Sequence, residues 1–361
     1  MRIVTYNINA DTDEFASDPQ AADLETVFQG LGEVHLDDNG TSNAQPVDIF
    51  ALEELSNGAG YVGAPTIATL VNNLNAYYGA GTYAYDPTVD PTDGGTTGNG
   101  PSGIIYDTHT VQIVSATPLG TASGSGAPRA PMQYFIQPIG YSSAADFYLD
   151  VSHAKSGTDS GSAERRNDEA QTLVSNANSL GSSAHIVAVG DYNITSGSSE
   201  ATYQTLTSYF HDVGDPGEYW DDETTTEAKE ISGLLSESAT DVRYRDDIQF
   251  VSAAAMNNSG SPGLQYDSGS YLVFGNGGNS SLVGNDVSDA SANPGALSDL
   301  SPSQSSAILA AEDGATDHLP VVADYSIVGL SASVPEPASV SVLAICGLLA
   351  VRRPSVRRGR R

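Results

Sequence analysis

The chain begins with "RIVTYNIN", where Ile3, Val4, Tyr6 and Ile8 flank the β-branched Thr5 in the pattern of a strand. Short apolar runs bounded by polar or turn residues recur at "VDIFALEE" (47–54), "SGIIYD" (102–107), "VQIVSA" (111–116) and "MQYFIQPI" (132–139). They continue at "DFYLDVSHA" (146–154), "HIVAVGDYN" (185–193), "DDIQFVS" (246–252) and "PVVADYSI" (320–327). Nine strands exceed what one small sheet needs, so two stacked sheets are expected. A second period runs between them. Leu24, Val27, Phe28 and Leu31 follow the i, i+3, i+4, i+7 spacing of a single helix face. Ile67, Leu70, Val71 and Leu74 repeat it, with Pro65 near the start and Gly79 near the stop, and Ala170, Leu173, Val174 and Ala177 repeat it again. Strands mixed with one-faced helices predict an α/β arrangement whose helices cover the sheets from outside.

The polar stretches divide the chain. "DPTVDPTDGGTTGNGPSG" (86–103) and "SGTDSGSA" (156–163) carry little apolar content and are expected to be mobile loops. Residues 253–311 are rich in Ser, Gly and Asn and read as an elaborated insertion, with "SYLVFGN" adding a hairpin strand. One domain is therefore expected over 1–330, and 331–361 is different in kind. There a Pro-Glu-Pro stretch precedes a twelve-residue apolar run, Val340–Val351, and an arginine cluster. Twelve residues fall short of the roughly 20 that span a bilayer, and the arginines would stay on the cytoplasmic side.

Charge narrows the partners. The net charge is −31, from 14 Lys and Arg against 45 Asp and Glu. Six of those 14 are arginines at or after residue 352, which leaves eight for the rest of the chain. Such a surface repels polyanions, so salt-driven nucleic-acid binding through a broad basic groove is not supported. Apolar residues make up 39% of the chain, which describes a loop-rich globular protein. Its single cysteine, Cys346, lies in the tail, so no disulfide framework is available and folding rests on the core.

The strands end in chemistry. Asn7 closes the first, Glu53 and Glu54 close the second, and His153 leaves "LDVSHAK". Asp191 and Asn193 follow the apolar Val187–Val189 in "VAVGDYN", where residues i and i+2 share a side and Gly190 permits close approach. Asp246 precedes another strand, and Asp317 and His318 precede the last. Asp, Glu and Asn oxygens suit a hard cation such as Mg²⁺, and no Cys/His cluster favours zinc.

In this order, "RIVTYNI", "DIFALEEL", "SHAK", "VAVGDYN", "DDIQFVS" and "TDHLPV" resemble the endonuclease/exonuclease/phosphatase superfamily, the DNase-I-like proteins, over residues 2 to about 327. The resemblance implies an α/β (α+β) four-layer sandwich, two mixed β-sheets face to face with helices outside. It implies hydrolysis of a phosphoester by activated water with Mg²⁺, or alternatively Mn²⁺ or Ca²⁺. On that likeness Glu54 is the principal metal ligand, with Asn7 and Asp317 beside the metal, while Glu53 stands where many members have Gln. Asp191 would orient or deprotonate the water. Asn193 and His153 would face the phosphate, and His318 would take part in proton transfer. Asp246 would orient His318 in preference to its neighbour Asp247, on the Asp-x-Ile spacing, and Arg129 is a further phosphate-binding candidate. Nucleic acid, small phosphoesters and phospholipid headgroups all fit as substrates. A catalytically silent surface or matrix protein on the same scaffold is the alternative.

The tail resembles a PEP-CTERM sorting signal, with Pro335-Glu336-Pro337 as its motif. That likeness implies export to the cell envelope or medium of a bacterium, exosortase cleavage and a mature form without a membrane span. No signal peptide precedes the first strand, so the translation start is expected upstream of Met1. A monomer is expected.

Overall fold

The computed structural model describes residues 1–10, 19–36, 44–55, 64–88, 101–123, 125–217, 219–256 and 262–329. In chain order the elements begin β1 (Arg2–Asn7), α1 (Pro19–Leu31), β2 (Ile49–Glu53), α2 (Ala64–Tyr78), β3 (Tyr83–Tyr85), β4 (Gly103–Asp107) and β5 (Val111–Pro118). Next come β6 (Met132–Pro138), β7 (Phe147–His153), α3 (Ser160–Leu180), β8 (Ile186–Asp191), α4 (Ala201–Thr207), β9 (Phe210–Asp212) and α5 (Thr225–Ala228). The chain ends with β10 (Asp247–Ser252), α6 (Ala253–Met256), β11 (Gly263–Tyr266), β12 (Leu272–Val273), α7 (Pro302–Ala315) and β13 (Val321–Val328).

The strands form two mixed sheets. The first runs β11-β13-β1-β2-β4-β3, with β12 also on β13; the second runs β5-β6-β7-β8-β10-β9. Each has one parallel pair joined through a helix, β1 with β2 across α1 and β7 with β8 across α3. Every other pairing is antiparallel.

Alternation sorts the side chains into three buried layers. Ile3, Ile49, Ala51 and Ile104 of the first sheet meet Met132, Tyr134, Phe147, Leu149, Val151, Val187 and Val189 of the second. The intervening Val4, Tyr6, Phe50 and Leu52 face α1 and α2 on one outside. Ile186, Ala188, Ile248 and Phe250 face Leu173 and Ala177 of α3 on the other. Three apolar layers between helix, sheet, sheet and helix make the expected four-layer sandwich. Each fully buried Val, Leu, Ile or Phe side chain contributes about 1.5–3 kcal/mol.

All nine expected strands and three expected helices form. The short β3, β9, β11 and β12 run from two to four residues and carry too little pattern to be read alone. Residues 253–311 do more than decorate the surface. β11 and β12 extend the first sheet, and α7 buries Ile308, Ala311 and Ala315 in the cluster of Leu24, Val27 and Phe28. A capping box of Ser301 and Gln304, with Pro302 at the first turn, starts α7. The expected loop 156–163 is shorter, because the Asp159 carboxylate accepts from the Gly161 and Ser162 amides and caps α3 from Ser160. Residues 89–100 of the loop 86–103 and the whole of 331–361, where a sorting signal is expected, lie outside the described residues. Among the described residues no helix is long and apolar enough to cross a membrane.

Candidate active site

Both parallel pairs deliver polar residues to one end of the sandwich. Asn7 pairs in register with Glu53, and His153 with Asp191, each at the carboxyl end of its strand. β10 runs the other way and starts at this end, which brings Asp247 opposite Asp191. Thr5 pairs with Val321, so Asp317 and His318, just before β13, arrive at the same rim. In open α/β sheets the carboxyl ends of parallel strands are also where ligands settle.

The two sheets touch there through hydrogen bonds. The Asn7 Nδ2 donates to Glu54 Oε1 and to Asp191 Oδ2, both at 3.1 Å. His153 Nε2 lies 3.5 Å from the same two oxygens. Asn193 donates from its backbone and from Nδ2 to Asp191 Oδ1, at 2.9 and 2.8 Å, and fixes the carboxylate plane. His318 Nε2 stands 3.9 Å from Asp191 Oδ2. Asp317 is exposed at the edge and accepts from Asn9 Nδ2 at 3.1 Å.

The backbone is bent to make these meetings. Glu54 and Asn193 both have left-handed φ, 55° and 50°, which turns each away from its strand direction. Gly190 has φ 146°, and a Cβ there would collide with the Ser152 carbonyl of the neighbouring strand. Only glycine lets β7 and β8 close together immediately before His153 and Asp191.

The orienting carboxylate is Asp247, which corrects the expectation for Asp246. Asp247 Oδ2 lies 2.8 Å from His318 Nδ1. Alternation is the reason: Asp247 and Gln249 face between the sheets, where Gln249 donates to the carbonyls of Ile3 and Val321. Asp246 shares the opposite parity with Ile248, which packs in the outer layer.

Arg129 is also placed differently from a simple phosphate ligand. Its Nη1 donates to the carbonyls of His153, at 3.2 Å, and Ala154, at 3.5 Å, and so braces the backbone behind the histidine. One residue at the rim went unread in the sequence. Glu237 bridges backbone-to-backbone with His318, and its carboxylate, the Asp317 carboxylate and a His318 ring nitrogen lie within 4.8 Å of one another. Nothing local in "LLSESATDV" marks it, since the contact depends on a strand some eighty residues away.

The electrostatics assign protonation states. Burial lowers the His318 pKa, but the charge and hydrogen bond of Asp247, with Asp191 and Glu237 behind them, override it and hold the imidazole well above its ordinary value. Burial, with Arg129, His318 and Lys155 nearby, keeps His153 well below its ordinary value and therefore neutral. Burial pushes Asp191 up to about 7 against the opposing charge of His318. Glu53 is buried, accepts from Thr5 Oγ1 at 3.0 Å, and is pushed well up by burial and then by Asp247 and Asp191. A protonated Glu, like a Gln, is neutral and carries a carbonyl acceptor and a donor, though the amide has a second N–H, so Glu53 can accept from Thr5 as a Gln would.

The donor set suits a hard divalent cation. Two carboxylates, Glu54 and Asp191, converge on the same donors of Asn7 and His153, and the buried Asp247 Oδ1 has no hydrogen-bond partner among the described residues. Carboxylate and carboxamide oxygens select Mg²⁺ or Mn²⁺ over softer metals.

No family model matches the chain, and a comparison with curated proteins finds no match. Solved structures do resemble it. The human Nocturnin catalytic domain with bound sulfate is 14% identical with a TM-score of 0.52, over 91% of this chain and 94% of that one. A mannosyl-6-phosphatase of Bacteroides thetaiotaomicron is 13% identical with a TM-score of 0.51, over 91% and 100%. An endonuclease/exonuclease/phosphatase of Bacteroides vulgatus is 14% identical with a TM-score of 0.51, over 90% and 98%. The fold of this chain is thus the DNase-I-like one of the endonuclease/exonuclease/phosphatase proteins.

Proposed function

We propose that the protein is a divalent-metal-dependent hydrolase of phosphoester bonds. The supporting observation is the convergence of Glu54, Asn7, His153, Asp191, Asp247 and His318, from six strands and their ends, on one rim. The names of structural neighbours that act on phosphoesters support the same reading. In this reading Asp191, held by Asn193, orients the attacking water and accepts its proton. Protonated His318, held by Asp247, donates to a phosphoryl oxygen as negative charge builds on it. Neutral His153 hydrogen-bonds another oxygen. Bound by Glu54, with Asn7 and Asp317 beside it, a Mg²⁺ or Mn²⁺ ion would supply Lewis-acid stabilisation of the developing charge. Export, exosortase processing of the tail and a monomeric state belong to the same proposal.

A substrate panel tests it: bis-(p-nitrophenyl) phosphate, plasmid DNA, RNA and sphingomyelin, each with Mg²⁺, Mn²⁺, Ca²⁺ or EDTA. Metal-dependent release from at least one substrate is expected. Failure with all of them would favour a silent scaffold. Activity that survived both EDTA and Asp191→Ala would refute the assigned roles.

A further inference from the structure

Of the eight cationic side chains that precede the tail, four gather around the segment that leaves His153: Arg129 and Arg166 on its carbonyls, Lys155 within it, and Arg165 close enough for its charge to act on Lys155. Two of them are built into the backbone. Arg129 holds the carbonyls of His153 and Ala154. Arg166 Nη1 holds those of Lys155, at 2.9 Å, and Gly157, at 2.7 Å, while its Nε meets Glu200 at 2.8 Å. The segment from His153 to Gly157 is therefore clamped between two guanidinium groups. Lys155 is half-exposed on it, with its ammonium donating to the Ser156 carbonyl and its other protons left for solvent or a ligand.

Arg165, also half-exposed, is fixed by the carbonyls of Gly126, at 2.7 Å, and Ser123, at 3.1 Å. Among the described residues neither Lys155 nor Arg165 has a carboxylate within ion-pairing distance. The nearby Asp159 carboxylate is occupied by the amides of Gly161 and Ser162 and by the Ser162 hydroxyl. Burial, with the neighbouring Arg165 and Arg129, presses the Lys155 ammonium below its ordinary value against the opposing charge of Asp159. The opposite side of the mouth is acidic, with Glu237 and Asp317 against His318. In a chain of net charge −31, the rim is basic at the His153 side and acidic at the His318 side.

We propose that Lys155 and Arg165 form a subsite for a second phosphate, so that the preferred substrate carries another phosphate group adjacent to the scissile one. This rests on the phosphoesterase reading and narrows it. Two accessible cations on an acidic molecule hold one further phosphate rather than a long duplex. Uncharged leaving groups would lie toward the acidic side.

The test is equilibrium binding with Mg²⁺ to the full chain carrying His318→Ala, which suppresses turnover. The probes are a thymidine dinucleotide with and without a 5′-phosphate. The phosphorylated probe is expected to bind about tenfold more tightly, the scale of one charge-assisted contact. Adding Lys155→Gln and Arg165→Gln should reduce that preference below about twofold, and raising the salt should narrow it. Because Arg165 also anchors a loop, Lys155→Arg with Arg165→Lys serves as the control that keeps charge and preference. Equal affinities in the parent, no binding of either probe, or a preference that survives the Gln pair would each overturn the subsite. Wild-type hydrolysis of bis-(p-nitrophenyl) phosphate reports on the phosphoesterase reading independently. Hydrolysis without the preference removes the subsite alone; a preference without hydrolysis of any substrate in the panel removes the enzyme reading.

Discussion

Two carboxyls of the second sheet, Asp150 and Asp191, are pushed up to about 7 by burial, yet they sit in opposite settings. Asp150 faces the outer layer on the same side of β7 as Tyr148, and Oδ1 accepts from Gln133 Nε2 at 2.8 Å. Asp191 faces the rim, where Asn193 of its own turn is joined by Asn7, His153 and His318 from three other segments. The same cause, loss of water, raises both pKa values. A displaced pKa therefore does not single out a site; the company of donors at the rim does. Glu53 makes the point again, being held protonated in the interior with only Thr5, among the described residues, hydrogen-bonded to its side chain.

Experiments that break this contrast fall in order of size. Chelation comes first: EDTA should remove essentially all phosphoesterase activity, and Mg²⁺ or Mn²⁺ should restore it, read with bis-(p-nitrophenyl) phosphate. Asp191→Ala and His318→Ala should each lower turnover by at least about a hundredfold, the scale of a positioned proton-transfer group, with unchanged circular dichroism. Asp150→Asn should leave turnover within about twofold; a hundredfold loss there would mean that burial alone had been misread as structural.

Next comes the choice between adjacent carboxylates. Asp247→Asn should cost about tenfold or more in turnover by weakening the charge that holds His318 protonated, and the alkaline limb of the pH–rate profile should move to lower pH. Asp246→Asn should cost less, since Asp246 does not contact the imidazole. Equal losses would return the orienting role to both.

Stability gives the smaller effect. The folded-state pKa of Asp150 is raised, so the native state binds the proton more tightly than the unfolded chain. Asp150 thus favours folding at low pH, and that contribution is lost as pH rises from about 4 to about 7. At about 1.4 kcal/mol per unit, Asp150→Asn should stabilise the protein by a few kcal/mol at pH 8 and flatten this part of the curve, measured by urea unfolding. The smallest change should be Glu53→Gln, with activity within about threefold, because both side chains are neutral and an amide oxygen accepts from Thr5 as the carboxyl oxygen does. A large loss would show that Glu53 ionises during turnover.

Much of this was legible in the residues themselves. The periods of two and 3.6 are local properties, so the nine longer strands and the helices with one apolar face could be read from spacing alone. So could the polar strand ends, Asn7, Glu54, His153, Asp191 and His318, which interrupt apolar runs. The helix α7 hid because the apolar residues of "SSAILAAEDGA" run together at 307–311 instead of recurring at helical spacing, and its capping box with Pro302 is what announces it.

Register and crossing were decided elsewhere. Whether Asp246 or Asp247 meets His318 depends on which face of β10 turns inward, and that is set by pairing with β8. Glu237 reaches the rim, and Lys155 and Arg165 gather at its other side, only because distant segments are packed there. Local sequence fixes which side chains share a face of an element. The alignment of one face against another is a sum of contacts between residues far apart in the chain, and it exists only once the two sheets have closed on each other.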